Sequence, residues 1–341
     1  MLDTISAAEA KAMVRRMAET CARYKGAVTS RALWQLVTTL VPLFVLLALM
    51  LATVDRAYWL TLVLAVPAAG LVVRLFIIQH DCGHQSFLPS RRANDFVGRC
   101  MSLFTLTPYG LWRREHAIHH ANSGNLDRRG VGDIDTLTVS EYRALGPLRR
   151  LGYRIYRHPL FLFGVGIPLY FLVLQRLPWF HGLPAKDAWK SVLALDLALA
   201  VVFGLLSLVI NPLHLAMVGL PVVVLAAAAG GWLFFVQHQF EGTYWARNGS
   251  WDFQTAAVLG SSYYELPALL NWFTGNIGLH HIHHLNGTIP NYRLPECAAA
   301  LPECRSINRI TLLESLSCVR LTLWDEAQSR LVGFADASAP A

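Results

Sequence analysis

Long apolar runs dominate the pattern along this chain. Residues 34–54 (WQLVTTLVPLFVLLALMLATV) and 57–79 (AYWLTLVLAVPAAGLVVRLFIIQ) are each long enough to cross about 30 Å of hydrocarbon as a helix. Only Asp55 and Arg56 separate them, so they predict a helical hairpin with a tight turn that returns His80 to the starting face. Residues 95–112 are less apolar and are broken by Pro108 and Gly110, which reads as a helix lying in the interface. The polar loop 113–158 follows, and its RRLGYRIYRH stretch carries four arginines, a cytoplasmic signature.

Three more apolar runs occupy 159–175, 191–210 and 215–236. Histidines lie before and after them, and if these serve one site the chain between must cross the membrane an even number of times. The linker 176–190 carries Arg176, Lys186 and Lys190, whereas NPLH at 211–214 carries no full charge. Positive-inside logic therefore pairs 191–210 with 215–236 as a second hairpin and leaves 159–175 re-entrant or interfacial, with 159–175 paired to 191–210 as the alternative. Asp196 falls inside an apolar run, where an acid is either functional or close enough to a helix end to reach water. From 238 onward the chain is polar, with a helical-looking tail around SINRITLLESLSCVRLTLWDEAQSRL. No internal repeat is visible, which counts against repeat-built transporters.

Composition agrees with this layout. Charged residues make up 15% of the 341-residue chain and hydrophobic ones 54%, with a mean hydropathy of +0.39. Soluble domains carry about a quarter charged residues, so the fold class is an all-α integral membrane protein: two transmembrane helical hairpins, interfacial or re-entrant helices and a cytoplasmic histidine-rich cap. A single domain over 1–341 is expected, with a cytoplasmic lead (1–33), the first hairpin (34–79), a cytoplasmic loop (80–158), further membrane segments (159–237) and a cytoplasmic C-terminal part (238–341). Residues 1–30 mix both charges and show no apolar core with a cleavage site, unlike a cleaved signal. The net charge of +7 suits anionic headgroups or an acidic partner, and it is also what positive-inside loops produce. Six scattered cysteines without a C-x-x-C pair point to no disulfide framework and no zinc knuckle.

Nine of the 13 histidines are patterned. HDCGH supplies His80 and His84, HAIHH supplies His116, His119 and His120, FVQHQFE supplies His238, and HHIHH supplies His280, His283 and His284 with His281 extra. On a helix, positions i, i+3 and i+4 share a face, so each H-x-x-H-H reads as half of a metal site. At about 100° per residue His281 lies outside the arc of its neighbours. Imidazole suits zinc, copper, iron and nickel, and so many ligands exceed the needs of one ion, which implies a dinuclear centre. Carboxylates are sparse in the boxes, unlike the Glu-x-x-His motifs of soluble di-iron bundles. Iron that activates O2 fits best, and spacing alone leaves copper and zinc open. His158, His181 and His214 lie outside the boxes and read as non-ligands.

HDCGHQSF, HAIHHANSGNLDRRGVGDIDTLTVSEY, FFVQHQFEGTYW and TGNIGLHHIHHLNGTIPNYRL resemble the histidine boxes of membrane fatty-acid desaturases, most closely the bacterial acyl-lipid type. The likeness covers nearly the whole chain. It implies two non-haem iron ions held by His80, His84, His116, His119, His120, His238, His280, His283 and His284. It further implies O2 as co-substrate, membrane phospholipid acyl chains as substrate, an external ferredoxin- or flavodoxin-type donor, and no nucleic acid. The expected location is a bacterial-type cell membrane with the site on its cytoplasmic face. The sequence shows no His-Pro-Gly-Gly stretch, so no fused haem domain is expected, and Gly242 stands where relatives often carry an acid. Ligating imidazoles need a partner on the second ring nitrogen. Asp81, Asp127, Glu241 and Asn276 are candidates, with His281 as a neighbour. An acyl hydroxylase or other oxygenase on the same scaffold is an alternative, and a membrane metal transporter is the alternative from another class.

Overall fold

A computed structural model describes residues 7–178 and 185–338. Five helical stretches among them are long and apolar enough to cross a membrane. The first hairpin pairs α2 (Thr29–Thr53) with α3 (Tyr58–Gly83), joined at Val54–Ala57. Helix α3 is central: 61% of its most apolar window is buried, against 17% for α2, because α2, α4 (Arg91–Thr105) and α11 (Pro212–His238) all pack on it. The second hairpin is α10 (Ala185–Ser207) with α11. Leu193, Leu197, Val201 and Leu205 of α10 are exposed, a face suited only to lipid.

Contacts at both ends settle how the hairpins stand. His214 Nε2 at the start of α11 lies 2.9 Å from Asp55 Oδ1, which puts the two hairpin turns together at one face. The opposite ends of α3 and α11 carry His80 and His238, so both hairpins deliver histidines to the other face.

The remaining apolar stretch, Pro159–Arg176, is an irregular helix: α8 (Pro159–Phe161), a π-helical turn at Leu162–Gly166, α9 (Ile167–Leu172) and a 3-10 turn at Leu174–Arg176. Its length allows a crossing, yet its contacts run sideways. Phe163 meets Trp232 and Phe235 of α11 at ring distances of 5.0 and 5.4 Å, Ile167 covers Gly231, and Phe171 meets Phe76 of α3 at 6.0 Å. Trp232 and Phe76 sit roughly 9 and 6 Å before the histidine ends of their helices, at 1.5 Å per residue. The segment therefore lies across the hairpins just beneath the histidines, and Arg176 closes it by donating to Leu106 O (2.6 Å) and pairing with Asp196 (3.2 Å). Asp196 is thus an ion-pair partner midway along α10. The interfacial stretch expected at 95–112 is divided by Leu106 (φ +54) into α4 and α5 (Tyr109–Asn122).

The cap wraps this face. After α5 come β1 (Leu137–Thr138), α6 (Val139–Ala144) and α7 (Pro147–Arg157). Beyond α11 follow α12 (Phe253–Leu259), β2 (Tyr263–Glu265), α13 (Ala268–Phe273), α14 (His280–Leu285) and α15 (Leu294–Ala299). Helix α1 (Ala7–Cys21) packs Val14, Met17 and Cys21 against Ile282, Leu285 and Cys297, so the N-terminal lead backs the last histidine box. The helical tail expected near 306–331 is instead β3 (Arg309–Thr311), a four-residue α16 (Leu312–Ser315), a 3-10 turn, β4 (Leu323–Asp325) and β5 (Arg330–Val332). β3 runs parallel to β2 with Tyr264 opposite Ile310, and β4 lies between β1 and β5 with Leu137 opposite Leu323. Strand edges distant in sequence override the local helical spacing.

Candidate metal centre

The histidines arrive on four rigid elements. His80 and His84 close α3, His116, His119 and His120 lie on α5, His238 ends α11, and His280, His283 and His284 lie on α14. Two sets form, each able to hold a metal ion: His80, His84, His116, His120 and His283 in one, and His119, His238, His280 and His284 in the other. Within each set the candidate ligand atoms lie within 4.8 Å of one another.

The boxes are therefore not half-sites, as their spacing implied. Residues i and i+4 differ by about 40° around a helix and stay together, whereas i+3 lies about 60° to the other side. So His116 and His120 serve one set while His119 turns to the other, and His280 and His284 part from His283 in the same way.

Ring nitrogens approach in a pattern that neutral imidazoles do not choose. Nε2 atoms of His84 and His116, of His116 and His120, and of His120 and His283 are 3.0, 3.0 and 3.1 Å apart. In the other set His238 Nε2 lies 3.2 Å from His119 Nε2 and 3.0 Å from His280 Nε2. Bonds of about 2.1 Å to one ion at right angles would put neighbouring nitrogens roughly 3.0 Å apart. His284 Nε2 is buried with no hydrogen-bond partner among the described residues, as are Nδ1 of His280 and His283. Burial, followed by the mutual repulsion of neighbouring rings, lowers the pKa of His116, His120, His280, His283 and His284 well below the ordinary value. Neutral imidazoles with converging lone pairs are what a cation requires.

Outer contacts hold several rings in place. His119 Nδ1 lies 2.5 Å from Asp133 Oδ1, and His238 Nδ1 lies 3.2 Å from Gly260 O. A proton on each Nδ1 leaves Nε2 free to face its set. His80 Nδ1 lies 3.3 Å from Asp81 Oδ1, and Asp81 Oδ2 accepts from the backbone N (2.6 Å) and Nδ2 (2.8 Å) of Asn291. Gln35 of α2 donates to Asn291 Oδ1 at 2.9 Å, so the first hairpin braces this ring too. Trp112 stacks on His116 with centroids 4.6 Å apart. Two glycines are required by proximity: a Cβ on Gly287 would fall 2.8 Å from the His84 ring, and Gly132 (φ +72) lets its loop pass the His119 Cβ.

Other candidates are placed elsewhere. Asp127 pairs with Arg247 at 2.6 Å and accepts from Asn248 N at 2.8 Å, so it ties two surface loops and supports no histidine. Glu241 is exposed and pairs with Arg330 at 2.8 Å. Asn276 takes a left-handed conformation (φ +59) in the turn before α14, its N–H donating to Asn271 O, and its side chain makes no hydrogen bond to a histidine among the described residues. His281 is fully buried outside both sets, beside Tyr263, and burial depresses its pKa to about 4 against the pull of backbone groups at Ser262 and Cys304. His158 caps α7 and His214 binds Asp55, while His181 falls outside the described residues. The sequence reading missed Asp133, Gly260 and Asn291. The one available signal was Gly130 and Gly132, both of positive φ, which turn the chain back toward α5.

The family model for fatty acid desaturases matches residues 57–309, which includes all nine histidines. The chain belongs to the fatty acid desaturase family. It is 41% identical over 307 residues to a fatty acid desaturase of Bacillus subtilis (strain 168), covering 90% of this chain and 86% of that one. An sn-1 acyl-lipid omega-3 desaturase (ferredoxin) of Nostoc sp. (strain 36) is 29% identical, over 67% of this chain and 63% of its own length. An endoplasmic reticulum omega-3 fatty acid desaturase of Vigna radiata is also 29% identical, over 74% of this chain and 67% of its own length. The protein is thus an oxidoreductase with membrane-length helices, and the paired histidine sets sit where this desaturase would carry its metal.

Proposed function

We propose that the nine imidazoles hold two iron ions and that the desaturase places a cis double bond in acyl chains of membrane phospholipids. The carrying observation is the pair of adjoining, nitrogen-only sets at the histidine ends of both hairpins. When bound, the metal pair supplies the O2-dependent removal of two hydrogens from a –CH2–CH2– unit, with two electrons from an external donor.

The protein's own part is to hold, orient and exclude. Asp133 and the Gly260 carbonyl set which nitrogen of His119 and His238 faces inward, and Asp81 does so for His80. Phe234 lies against His119 and His238, and Trp112 against His80 and His116, which keeps water from one side of each set. The transverse segment 159–176 floors the site with apolar side chains, where an acyl chain entering from lipid would lie against fixed rings. Arg149, Arg150 and Arg154 on α7 support a cytoplasmic histidine face, within a single domain over 1–341. A ferredoxin- or flavodoxin-type donor fits both the net charge of +7 and the Nostoc relative named for ferredoxin.

Fatty-acid methyl esters from an expressing host supplied with a donor test this reading. New cis-monoenes with the native chain, none with His120→Ala, and about two irons per purified chain are expected. An unchanged profile with the native chain overturns it.

A further inference from the structure

Helix α7 has two unlike sides. Leu148, Leu151 and Ile155 form one stripe and are 81%, 55% and 48% exposed, while Tyr153 and Arg157 on the other side are buried against the cap. Leu160, 78% exposed, carries the apolar stripe into the transverse segment beneath the histidines. An open apolar stripe continuous with a membrane segment lies in the lipid interface, so α7 marks the headgroup level.

Between α7 and the loop before β1 is a groove of about 350 Å³, lined by Arg129, Asp135, Arg149, Tyr153 and Tyr156. Its volume suits a small polar group. Both charge signs are present. Arg149 is exposed, as is Asp135. Arg129 pairs with Glu141 through Nη2, while its buried Nη1 has no partner among the described residues. Arg129 also lines a second cavity of about 20 Å³, shared with Asp133 and His238, so it borders both the groove and the surroundings of the four-histidine set.

We propose that this groove takes the headgroup of the lipid substrate and that the fitting headgroup is that of an aminophospholipid. The phosphate meets Arg149, with the Arg129 guanidinium beside it, and the primary ammonium meets Asp135. A purely anionic headgroup would bring its charge against Asp135, and an uncharged glycerol would leave the arginines unanswered. Free phosphate shares the arginine chemistry but brings no ammonium. The inference deepens the acyl-lipid reading above and depends on it for its biological meaning, and the binding it predicts needs no metal.

The test is native mass spectrometry of the full chain in detergent with equimolar phosphatidylethanolamine, phosphatidylglycerol and diacylglycerol of identical acyl chains. Phosphatidylethanolamine should be retained about tenfold over diacylglycerol, the scale of one charge-assisted hydrogen bond. Arg149→Gln should remove that preference and Arg149→Lys should keep most of it. Asp135→Asn should bring phosphatidylethanolamine level with phosphatidylglycerol. Equal retention of the three lipids, or a preference that survives both Arg149→Gln and Asp135→Asn, overturns the proposal. So does displacement of phosphatidylethanolamine by millimolar inorganic phosphate, which would mark a free-anion site. Methyl-ester analysis of the same lipids is scored separately: a headgroup preference without any monoene removes the desaturase reading and leaves the groove, and monoenes without the preference do the reverse.

Discussion

The two histidine sets share a ligand type and two helices, α5 and α14, and differ in size and exposure. The five-histidine set draws on α3, α5 and α14, and three of its rings (His84, His116, His120) are partly exposed. The four-histidine set draws on α5, α11 and α14 and is buried throughout. The first has one more imidazole than the second. In the second a carboxylate and a backbone carbonyl fix two of the four rings, whereas in the first Asp81 fixes one of five. A metal bound by the smaller set would have fewer protein ligands and so more room for an exogenous group.

This contrast is open to experiment. The largest effect is expected from removing a ligand: His238→Ala should lose about one of two irons and all double-bond formation, whereas His120→Ala, in the larger set, should retain more iron while also losing activity. Equal iron loss from both would erase the distinction between the sets. Next comes Asp133→Asn, which should cost about 10–100-fold in activity or iron affinity, measured by turnover and by chelator competition. Unaltered values would leave the 2.5 Å contact without a function. Asn291→Ala strips the Nδ2 donor from buried Asp81, leaving the backbone N–H, and should lower stability by about 1–3 kcal/mol, read from thermal unfolding, with a smaller loss of iron from the five-histidine set. His281→Gln should keep both irons and cost about 1–2 kcal/mol at most, and a protein unable to hold two irons would place His281 in the centre after all. The smallest effect belongs to Asp127→Asn: unchanged iron and activity, and a thermal unfolding midpoint close to the native one, because a surface ion pair contributes little.

Much of this was legible in the residues. The apolar runs were long enough to locate the hairpins, and the charge of 176–190 against the neutral NPLH turn was enough to choose α10 with α11 as the second one. Helical spacing also separated His281 from its neighbours, because a 100° step per residue is a local property. Asp127 misled for the same reason that Asp133 was missed. Both lie in the loop after α5, and nearness in sequence does not say which carboxylate the loop turns inward. That choice depends on Gly130 and Gly132 together with an arginine, Arg247, 120 positions beyond Asp127.

The sequence alone determined the membrane class, the approximate places of the long apolar helices, the nine patterned histidines and the family, because each depends on composition or on spacing within one helix. Only the tertiary structure decided that every H-x-x-H-H box is divided between two sets, that 159–176 lies across the hairpins, and that the tail pairs as strands. Those outcomes depend on where α3, α5, α11 and α14 meet, and such meetings are fixed by packing between segments far apart in the chain.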